Sequence, residues 1–420
     1  MQFMPVRKSC ALAVLLFASF HAAAQDVYFK DLFGTNYLPP GKDTAKELGI
    51  SWVRENFSWA QVEKVKGTYN WAPIDKKVQQ AHAQGVEVLP LLAYTPAWNR
   101  ATPRTAGSAP KDYQAWVNFV QAAVARYSAA PYNLKYFQIW NEPTRKASYW
   151  LGSDQDFIDK IYLPAAKIIR QHHGKVVFGG WPASNSLNEF AKTIEYHNAI
   201  DYTDVLDFHY GSVHPYQWLY KRYVENNKVQ GIWQTELGYT NKPESVALAY
   251  SFILDFALSH QWDDPMKYKA FWFPAWQGNK KPYRSMTISS TAASVALTDN
   301  GKQLKQLNSF YGDGPLKLAS LTTAPPSNGD AYTKNFAINV GDKRQVITST
   351  YKPAQKQSTY HYALKTLKPN PTATLWFADG SHQQVPVSMK DGAAQISVDS
   401  KLLVKGCQQC ERSLFYIVLS

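Results

Sequence analysis

Short apolar runs alternate with longer amphipathic runs along the first three quarters of the chain. Strand-like runs such as SWVREN, VEVLPLLAY and LKYFQIWNE are each followed by a helix-like run such as DYQAWVNFVQAAVARYS, and eight such pairs can be counted between about residues 30 and 310. This alternation is typical of parallel strands joined by helical crossovers, and eight pairs predict an α/β fold of the closed (β/α)₈ (TIM) barrel type. A doubly wound open sheet is the alternative, but no Gly-rich phosphate-binding motif follows the first strand.

The pattern changes after about residue 312. The runs FAINVG, RQVITSTY, TATLWFAD and RSLFYIVLS are short and strand-like, no helical pattern separates them, and TTAPPSNGD is rich in turn-forming residues. This texture predicts a small antiparallel β-sandwich. We therefore expect a barrel domain at 25–311 and a sandwich domain at 312–420.

The first 24 residues have the pattern of a signal peptide. Arg7 and Lys8 precede the apolar run ALAVLLFASF, and the small residues of HAAAQ fit cleavage before Gln25. The apolar run is shorter than the roughly 20 residues that cross a bilayer. A retained anchor or a disordered tail is the alternative. We expect export to the periplasm or the medium, with no transmembrane span elsewhere.

The charge and the cysteine content limit which ligands and cofactors the protein is expected to bind. The formal net charge is +13, and loss of Arg7 and Lys8 with the leader would leave +11, yet no run of clustered Lys and Arg is present. We therefore expect no nucleic-acid partner, and an acidic polysaccharide is a hypothesis. Cys407 and Cys410 favour a local disulfide over a redox or zinc site. Calcium-loop and HExxH motifs are absent, so no metal or organic cofactor is expected.

Two predicted strands end in glutamate. Glu142 ends strand four in QIWNEP, and Glu236 ends strand seven in IWQTELG. Strand alternation places Glu142 on one face with Gln138 and Trp140, and Glu236 on one face with Gln234. Because strands four and seven lie across the barrel, both acids can reach one bound sugar. Cleavage of a glycosidic bond requires one protonated and one ionised carboxyl. Pairing of each glutamate with a basic residue is the alternative.

Asn141-Glu142-Pro143, followed by Glu236 on strand seven, resembles the clan A glycoside hydrolases, which are retaining (β/α)₈ enzymes. The stretch from FSWAQVEKVKGTYNW to LLAYTPAW is similar to the strand two to three region of family 39 and its relatives, which include glycosidases encoded in bacterial exopolysaccharide clusters. The resemblance covers roughly residues 30 to 300. It implies a retaining β-glycosidase that works by double displacement.

The resemblance also implies roles for individual residues. Glu142 would be the acid/base and Glu236 the nucleophile. Asn141 would hydrogen-bond the sugar 2-hydroxyl, and Arg54, in WVREN, would hold the nucleophile ionised. A surface salt bridge is the alternative for Arg54.

One motif departs from the family. Many relatives carry His-x-Tyr at the end of strand six, where the tyrosine contacts the nucleophile, but this chain reads FHYGS. His209 matches and could line the pocket, or it could be a satisfied core residue. Gly211 stands at the tyrosine position. Alternation should turn Tyr210 away unless a bulge intervenes, so Tyr216 or Tyr239 would have to supply the contact.

Four tryptophans near strand ends are candidates for stacking on a sugar ring: Trp98, Trp181, Trp272 and Trp276. Relatives place a tryptophan at the position of Trp272, which makes it the preferred platform. Core packing is the alternative for each.

The sequence thus predicts an exported, monomeric retaining β-glycosidase whose substrate is a polysaccharide or oligosaccharide. A bacterial exopolysaccharide cleaved internally is the favoured substrate. The alternatives are a carbohydrate-binding or matrix-organising protein on a hydrolase scaffold, and a transglycosylase, which shares the covalent intermediate.

Overall fold

The computed structural model describes residues 24–211, 213–238, 244–278, 284–289, 295–324, 334–353, 359–408 and 410–420. The predicted leader up to residue 23 lies outside these ranges. Among the described residues, no helix is both long and apolar enough to traverse a bilayer.

Eight parallel strands close into a barrel in chain order, as the alternating pattern predicted. Neighbouring strands pair in parallel from the first to the eighth, and the eighth pairs with the first. The strands are β1 (Phe33–Asn36), β2 (Trp52–Ser58), β3 (Glu87–Ala93), β4 (Tyr136–Ile139), β5 (Lys175–Val177), β6 (Val205–His209), β7 (Gly231–Leu237) and β8 (Tyr268–Trp272).

Helices surround the barrel and bury their apolar faces on it. The longer helices pack against the strands through buried Ile, Val, Ala and aromatic side chains. The helices are α1 (Phe29–Leu32), α2 (Thr44–Leu48), α3 (Trp59–Val62), α4 (Ala72–Ala83), α5 (Tyr113–Ser128), α6 (Asp154–Asp156), α7 (Leu163–Gln171), α8 (Leu187–Glu195), α9 (Val213–Leu219), α10 (Ser245–Ser259) and α11 (Asp299–Tyr311). A π-helical segment, Phe157–Tyr162, joins α6 to α7, and another, Tyr220–Val224, extends α9.

The barrel interior is layered. An apolar layer fills the end where the strands begin, and it consists of Trp52, Leu89, Tyr136, Val177, Val205, Trp233 and Phe271. Two residues further along the strands the inward-facing side chains are polar instead: Arg54, Gln138, Asp207 and Thr235, all buried. Since successive side chains of a strand alternate between its faces, this polar layer lies between the apolar plug and the mouth. One buried cation lies at the opposite end, where Lys269 Nζ is 4.8 Å from the centroid of the Trp52 ring and donates to the backbone oxygens of Asp31 and Pro265.

The C-terminal region is a sandwich of two antiparallel sheets, as predicted. Its strands are β9 (Leu316–Ala319), β10 (Leu321–Ala324), β11 (Asn335–Val340), β12 (Arg344–Tyr351), β13 (Thr359–Lys365), β14 (Ala373–Phe377), β15 (His382–Val385), β16 (Val387–Lys390), β17 (Ala393–Asp399) and β18 (Ser413–Leu419). The six-stranded sheet has the order β15-β14-β18-β12-β11-β9 and the four-stranded sheet the order β10-β13-β17-β16. A second apolar core lies between them.

The sandwich packs on the barrel through α10 and α11. The ring of Phe310 on α11 lies 5.5 Å from that of Trp376 and 5.2 Å from that of Tyr416. The carboxylate of Glu244, just before α10, accepts a hydrogen bond from the backbone N–H of Cys407 at 3.2 Å. Cys407 and Cys410 form the expected disulfide.

Candidate active site

Glu142 reaches the barrel mouth through a break in strand alternation. Gln138 faces the interior, but Trp140 has φ 65° and Glu142 has φ 42°, and β4 ends before both. Trp140 therefore packs outward, with its ring centroid 5.5 Å from that of Trp116 on α5. The expectation that Gln138, Trp140 and Glu142 share one face is wrong for Trp140, because positive φ reverses the direction of the chain locally. Such conformations cluster at functional sites.

Glu236 also depends on an irregularity. Trp233 lies in the apolar plug and Thr235 in the polar layer, so Gln234 lies on the opposite face of β7, and alternation alone would send Glu236 there too. The pairing of β7 shifts on both sides at this point, and Glu236 pairs with His209 of β6 out of the regular register. The bulge returns Glu236 to the mouth. The expectation that Gln234 and Glu236 share a face is wrong for this reason.

The two glutamates meet across the mouth. One oxygen of Glu142, one oxygen of Glu236 and one ring nitrogen of His209 all lie within 4.8 Å of one another. The glutamate side chains are 14% and 12% exposed, so each is mostly shielded yet open to a ligand. Carboxyl groups about 5–5.5 Å apart are typical of retaining glycosidases, whereas inverting ones need about 6.5–9.5 Å.

Arg54 connects the nucleophile candidate to the polar layer. Its Nη1 donates to Glu236 Oε1 at 2.6 Å and to Asn36 Oδ1 at 3.2 Å, and its Nη2 donates to Asn141 Oδ1 at 2.6 Å. Its Nε donates to Gln138 Oε1 at 2.6 Å. Arg54 is only 3% exposed, so the surface salt bridge considered as its alternative is excluded. The contact to Asn141 fixes the amide with its oxygen inward, which leaves the NH₂ group as the donor for a ligand.

The buried carboxylate of Asp207 holds other members of the polar layer in place. Asp207 Oδ1 accepts the backbone N–H of Thr235 at 2.8 Å, and its Oδ2 accepts the Thr235 hydroxyl at 2.5 Å. Gln138 Nε2 also donates to Asp207 Oδ2. Sequence reasoning missed Asp207 and Thr235, although a polar residue at alternate positions of an otherwise apolar barrel strand was the available signal. They fix Gln138, and through it Arg54.

His209 lies between the two glutamates. Its Nδ1 is 2.9 Å from Glu142 Oε1 and 3.9 Å from Glu236 Oε2, and its Nε2 is 3.1 Å from the Thr235 hydroxyl. Burial alone would lower the pKa of His209, but the negative charge of Glu236 and the contacts of Asp207 and Glu142 raise it to about 9. The imidazole therefore carries a positive charge at neutral pH.

Glu236 is held in its ionised form. Burial would raise its pKa, but the positive charges of His209 and Arg54, with hydrogen bonds from Tyr210 and Arg54, lower the pKa of Glu236 below its ordinary value. A nucleophilic carboxylate has to be unprotonated, and this environment provides that state.

Tyr210 supplies the contact that the altered motif left open. Its hydroxyl donates to Glu236 Oε2 at 2.8 Å. Tyr210 has φ 51° and follows the register shift of β6, so its side chain turns toward the mouth although its position in the motif differs by one. The expectation that Tyr216 would take this role is wrong, because Tyr216 is buried and its hydroxyl donates to the backbone oxygen of Lys269 at 3.3 Å. Tyr239 lies outside the described residues.

Trp272 is a core residue and not an open platform. It is fully buried, its indole N–H donates to the Arg284 backbone oxygen at 2.6 Å, and its ring lies 6.0 Å from that of Tyr250 on α10. The preferred stacking assignment is therefore wrong, because β8 directs this side chain toward the helix layer.

The stacking assignments of Trp181 and Trp276 are also wrong, because both side chains are packed in the interior. Trp181 and Trp276 are buried, and each indole N–H is bonded to a backbone oxygen, that of Ser186 at 3.1 Å and that of Tyr37 at 2.9 Å. Trp98 is half-buried, its indole N–H donates to the Glu63 backbone oxygen at 2.8 Å, and Lys66 Nζ lies 5.8 Å from the centroid of its ring. Of the four tryptophans, Trp98 is the one that is not buried.

An exposed tyrosine that the sequence reading did not single out lies near the two glutamates. Tyr149 is 43% exposed, and its ring stacks on that of Tyr94 with centroids 6.0 Å apart. Burial and the charges of Glu142 and Glu236 raise the pKa of Tyr149, which places this tyrosine near both acids. Tyr149 lies seven residues after Glu142 in the same loop. Its aromatic character close to the Asn141-Glu142-Pro143 motif was the signal that sequence reasoning overlooked.

The cluster of Glu142, His209 and Glu236 is also the set that could offer ligands to a metal ion, and the described residues contain no other. Both oxygens of Glu236 already accept hydrogen bonds, one from Arg54 and one from Tyr210. The donors around this carboxylate are thus a guanidinium and a hydroxyl. The arrangement suits an anionic nucleophile stabilised by the protein's own cations.

Solved structures share this architecture. A family 39 glycoside hydrolase from the gut symbiont Bacteroides cellulosilyticus WH2 is 14% identical with a TM-score of 0.62, over 94% of this chain and 82% of that one. The GH39 enzyme from Xanthomonas axonopodis pv. citri is 16% identical with a TM-score of 0.58, over 95% of each chain. A GH30 endoxylanase from Clostridium papyrosolvens C71 is 15% identical with a TM-score of 0.59, over 94% and 97%.

The likeness spans barrel and sandwich together, and it confirms the resemblance to clan A glycoside hydrolases at the level of the fold. No protein-family model matches the sequence. A comparison with curated proteins finds no match either.

Proposed function

We propose that this protein is a retaining β-glycosidase that hydrolyses a polysaccharide or oligosaccharide by double displacement. The proposal rests on the position of Glu142 and Glu236 across the barrel mouth, where an oxygen of one lies within 4.8 Å of an oxygen of the other. Glu236 also accepts hydrogen bonds from Arg54 and Tyr210. The short separation of the two carboxyl groups supports direct attack by Glu236 on the anomeric carbon, because an inverting enzyme needs a wider gap to hold a water between its base and that carbon.

In the first step Glu236 attacks the anomeric carbon, and Glu142 gives its proton to the departing glycosidic oxygen. The product is a glycosyl ester on Glu236 and a free leaving sugar. In the second step Glu142 removes a proton from water, which attacks the same carbon and restores Glu236. Two inversions at one carbon retain the configuration of the substrate.

The residues around Glu142 and Glu236 stabilise the charges that form and disappear during the reaction. Arg54 and Tyr210 stabilise ionised Glu236 before attack and its carboxylate again as it leaves. His209, 2.9 Å from Glu142, orients that carboxyl toward the glycosidic oxygen. The NH₂ group of Asn141 is the donor for the sugar 2-hydroxyl, a contact that strengthens as positive charge develops on the ring.

The proposed substrate is a bacterial exopolysaccharide cleaved within the chain. The resemblance to glycosidases of exopolysaccharide clusters supports it, and so does the likeness in fold to a protein described as an endoxylanase.

We further propose that the protein is exported after cleavage before Gln25. The Cys407–Cys410 disulfide supports an oxidising compartment. Edman sequencing of the exported protein should begin at Gln25, and an N-terminus at Met1 would contradict export with cleavage.

The alternative of a binding protein on a hydrolase scaffold rested on the missing tyrosine of the His-x-Tyr motif. Tyr210 fills that role, so this reason no longer applies.

The test is hydrolysis of a panel of β-linked polysaccharides, with fragments sized by chromatography. The wild-type protein should release fragments, and Glu142→Gln and Glu236→Gln should each lower turnover at least about a thousandfold while leaving the circular dichroism spectrum unchanged. Proton NMR of the first product should show the anomeric configuration of the substrate. Inversion at that carbon, or near-native turnover by either variant, would overturn the proposal.

A further inference from the structure

The fold gathers positive charge at the catalytic face of the barrel. One set of segments runs from the end of each barrel strand to the start of the next helix, and the short helix α3 is included in the segment that follows β2. The other set runs from the end of each helix to the start of the next barrel strand. Over the described residues the first set contains nine Lys or Arg and five Asp or Glu, whereas the second contains three Lys and five Asp or Glu. The strand-leaving segments form the mouth, so the two ends of the barrel differ in sign.

Most of this charge at the mouth is not neutralised. Among the described residues only Lys66 of the nine cations has a carboxylate within 4.0 Å, that of Asp112. Nearby acids are engaged elsewhere: Glu63 accepts from the Trp59 indole, and Glu244 is buried against the sandwich. The exposed cations of this set without a described carboxylate partner are Lys42, Lys64, Arg104, Lys111, Arg145 and Lys146.

Three of these cations lie close to the glutamates, two along the chain from Glu142 and one in space beside Tyr210. Arg145 and Lys146 follow Glu142 by three and four residues, and both are exposed. Arg284, in the segment after β8, holds its guanidinium 5.7 Å from the centroid of the Tyr210 ring, whose hydroxyl is bonded to Glu236. Within the described part of the chain no carboxylate lies within 4.0 Å of Arg284. Arg284 is half-buried, whereas Arg54 is 3% exposed and pairs with Glu236.

From these observations we infer that the mouth binds an anionic polysaccharide that carries carboxylate groups along its chain. The inference rests on the proposed function, since it names the substrate class of the same site. A cleft lined by one sign of charge attracts a polymer of the opposite sign, and Arg presents a planar fork that pairs with a carboxylate through two hydrogen bonds. The carboxylate of a sugar on the nucleophile side would pair with Arg284, and one on the leaving-group side with Arg145 or Lys146.

The experiment measures binding in the Glu142→Gln background, which slows cleavage without changing Arg54 or Glu236. The probes are hyaluronan, glucuronoxylan and alginate, each paired with its own carboxyl-reduced form. Affinity electrophoresis at two salt concentrations gives the dissociation constants. We expect at least one native polymer to bind about tenfold more tightly than its reduced form, with the difference shrinking at high salt.

Charge-matched variants locate the surface. Arg145→Gln with Lys146→Gln, and separately Arg284→Gln, should weaken binding of the native polymer about five- to tenfold and leave the reduced polymer unaffected. The control is Lys135→Gln with Lys228→Gln, which removes two exposed lysines from the opposite end of the barrel and should change binding less than twofold.

Three outcomes would overturn the inference: no native polymer bound, equal binding to native and reduced forms, or equal losses in the mouth and control variants. Equally tight binding of duplex DNA at the mouth would also overturn it, because the surface would then be selective for negative charge alone. A preference for charged polymers with no hydrolysis by the wild-type protein would contradict the proposed function instead. Hydrolysis of neutral polymers alone would contradict only this inference.

Discussion

The hydroxyl of Tyr210 lies 2.8 Å from Oε2 of Glu236, although the two residues sit on neighbouring strands and Tyr210 occupies a position that regular alternation would turn away. The contact exists because an extra residue in β7 shifts its pairing with β6 near Glu236 and because Tyr210 adopts φ 51°. Glu236 thereby has a donor on each oxygen, Arg54 on one and Tyr210 on the other. The bulge in β7 and the positive φ of Tyr210 together complete the hydrogen bonding of the Glu236 carboxylate.

Removal of this hydroxyl should slow the reaction and move its pH dependence. Tyr210→Phe deletes a donor to the ionised carboxylate, so the pKa of Glu236 rises and the acidic limb of the kcat/KM profile shifts to higher pH. We expect kcat/KM to fall about ten- to a hundredfold at neutral pH. Tyr216→Phe removes a hydroxyl bonded elsewhere and should leave the acidic limb in place. An unshifted limb in Tyr210→Phe would contradict the assignment.

Gly180 sets the position of His209. A Cβ at Gly180 would lie 2.2 Å from His209 Nε2, and Gly180 has φ 59°. Gly180→Ala should therefore displace the imidazole and reduce kcat at least tenfold, because His209 would no longer hold the Glu142 carboxyl in place. Gly85→Ala is the matched control, since Gly85 has φ 68° and nothing within 4 Å of an added Cβ. Both variants bear the backbone cost of about 1 kcal/mol, so equal activity in the two would exclude a positioning effect.

The charge on His209 predicts how stability depends on pH. The pKa of His209 is raised from 6.5 to about 9 in the folded protein, so its contribution is fully present below pH 6.5 and is lost as pH rises through 9. Urea unfolding of the wild type and of His209→Gln between pH 6 and 10 measures the contribution as a difference. The difference should be largest at pH 6, at most about 3 kcal/mol, and should vanish toward pH 10. A difference independent of pH would show that His209 is neutral.

Tyr149 and Trp272 should separate sugar binding from packing. Tyr149 is 43% exposed beside the acids, so Tyr149→Ala should raise KM for a polysaccharide about tenfold and leave the unfolding free energy nearly unchanged. Trp272 is fully buried, so Trp272→Ala should cost about 3–5 kcal/mol of stability. Steady-state kinetics and urea unfolding of both variants check this. The reverse pattern would restore Trp272 as the platform.

Local pattern was sufficient for the architecture. Eight strand–helix alternations specified the barrel, the later run of short strands specified the sandwich, and NEP with a second strand-end glutamate identified the two acids. These features are encoded locally, because strand and helix periodicity depends on residues a few positions apart. The cysteine spacing indicated the disulfide in the same way.

What the sequence by itself determined about this protein is therefore the eight strands of its barrel, the all-β character of the region that follows, and the strands that carry Glu142 and Glu236. Tertiary structure alone decided which way the strand-end side chains point, because positive φ at Trp140 and Tyr210 and the bulge at Glu236 are set by neighbouring strands. It also decided that Trp272 belongs to the core, since burial depends on the helix packed outside β8. Scattered lysines and arginines became a charged face only when the barrel brought the ends of its strands together.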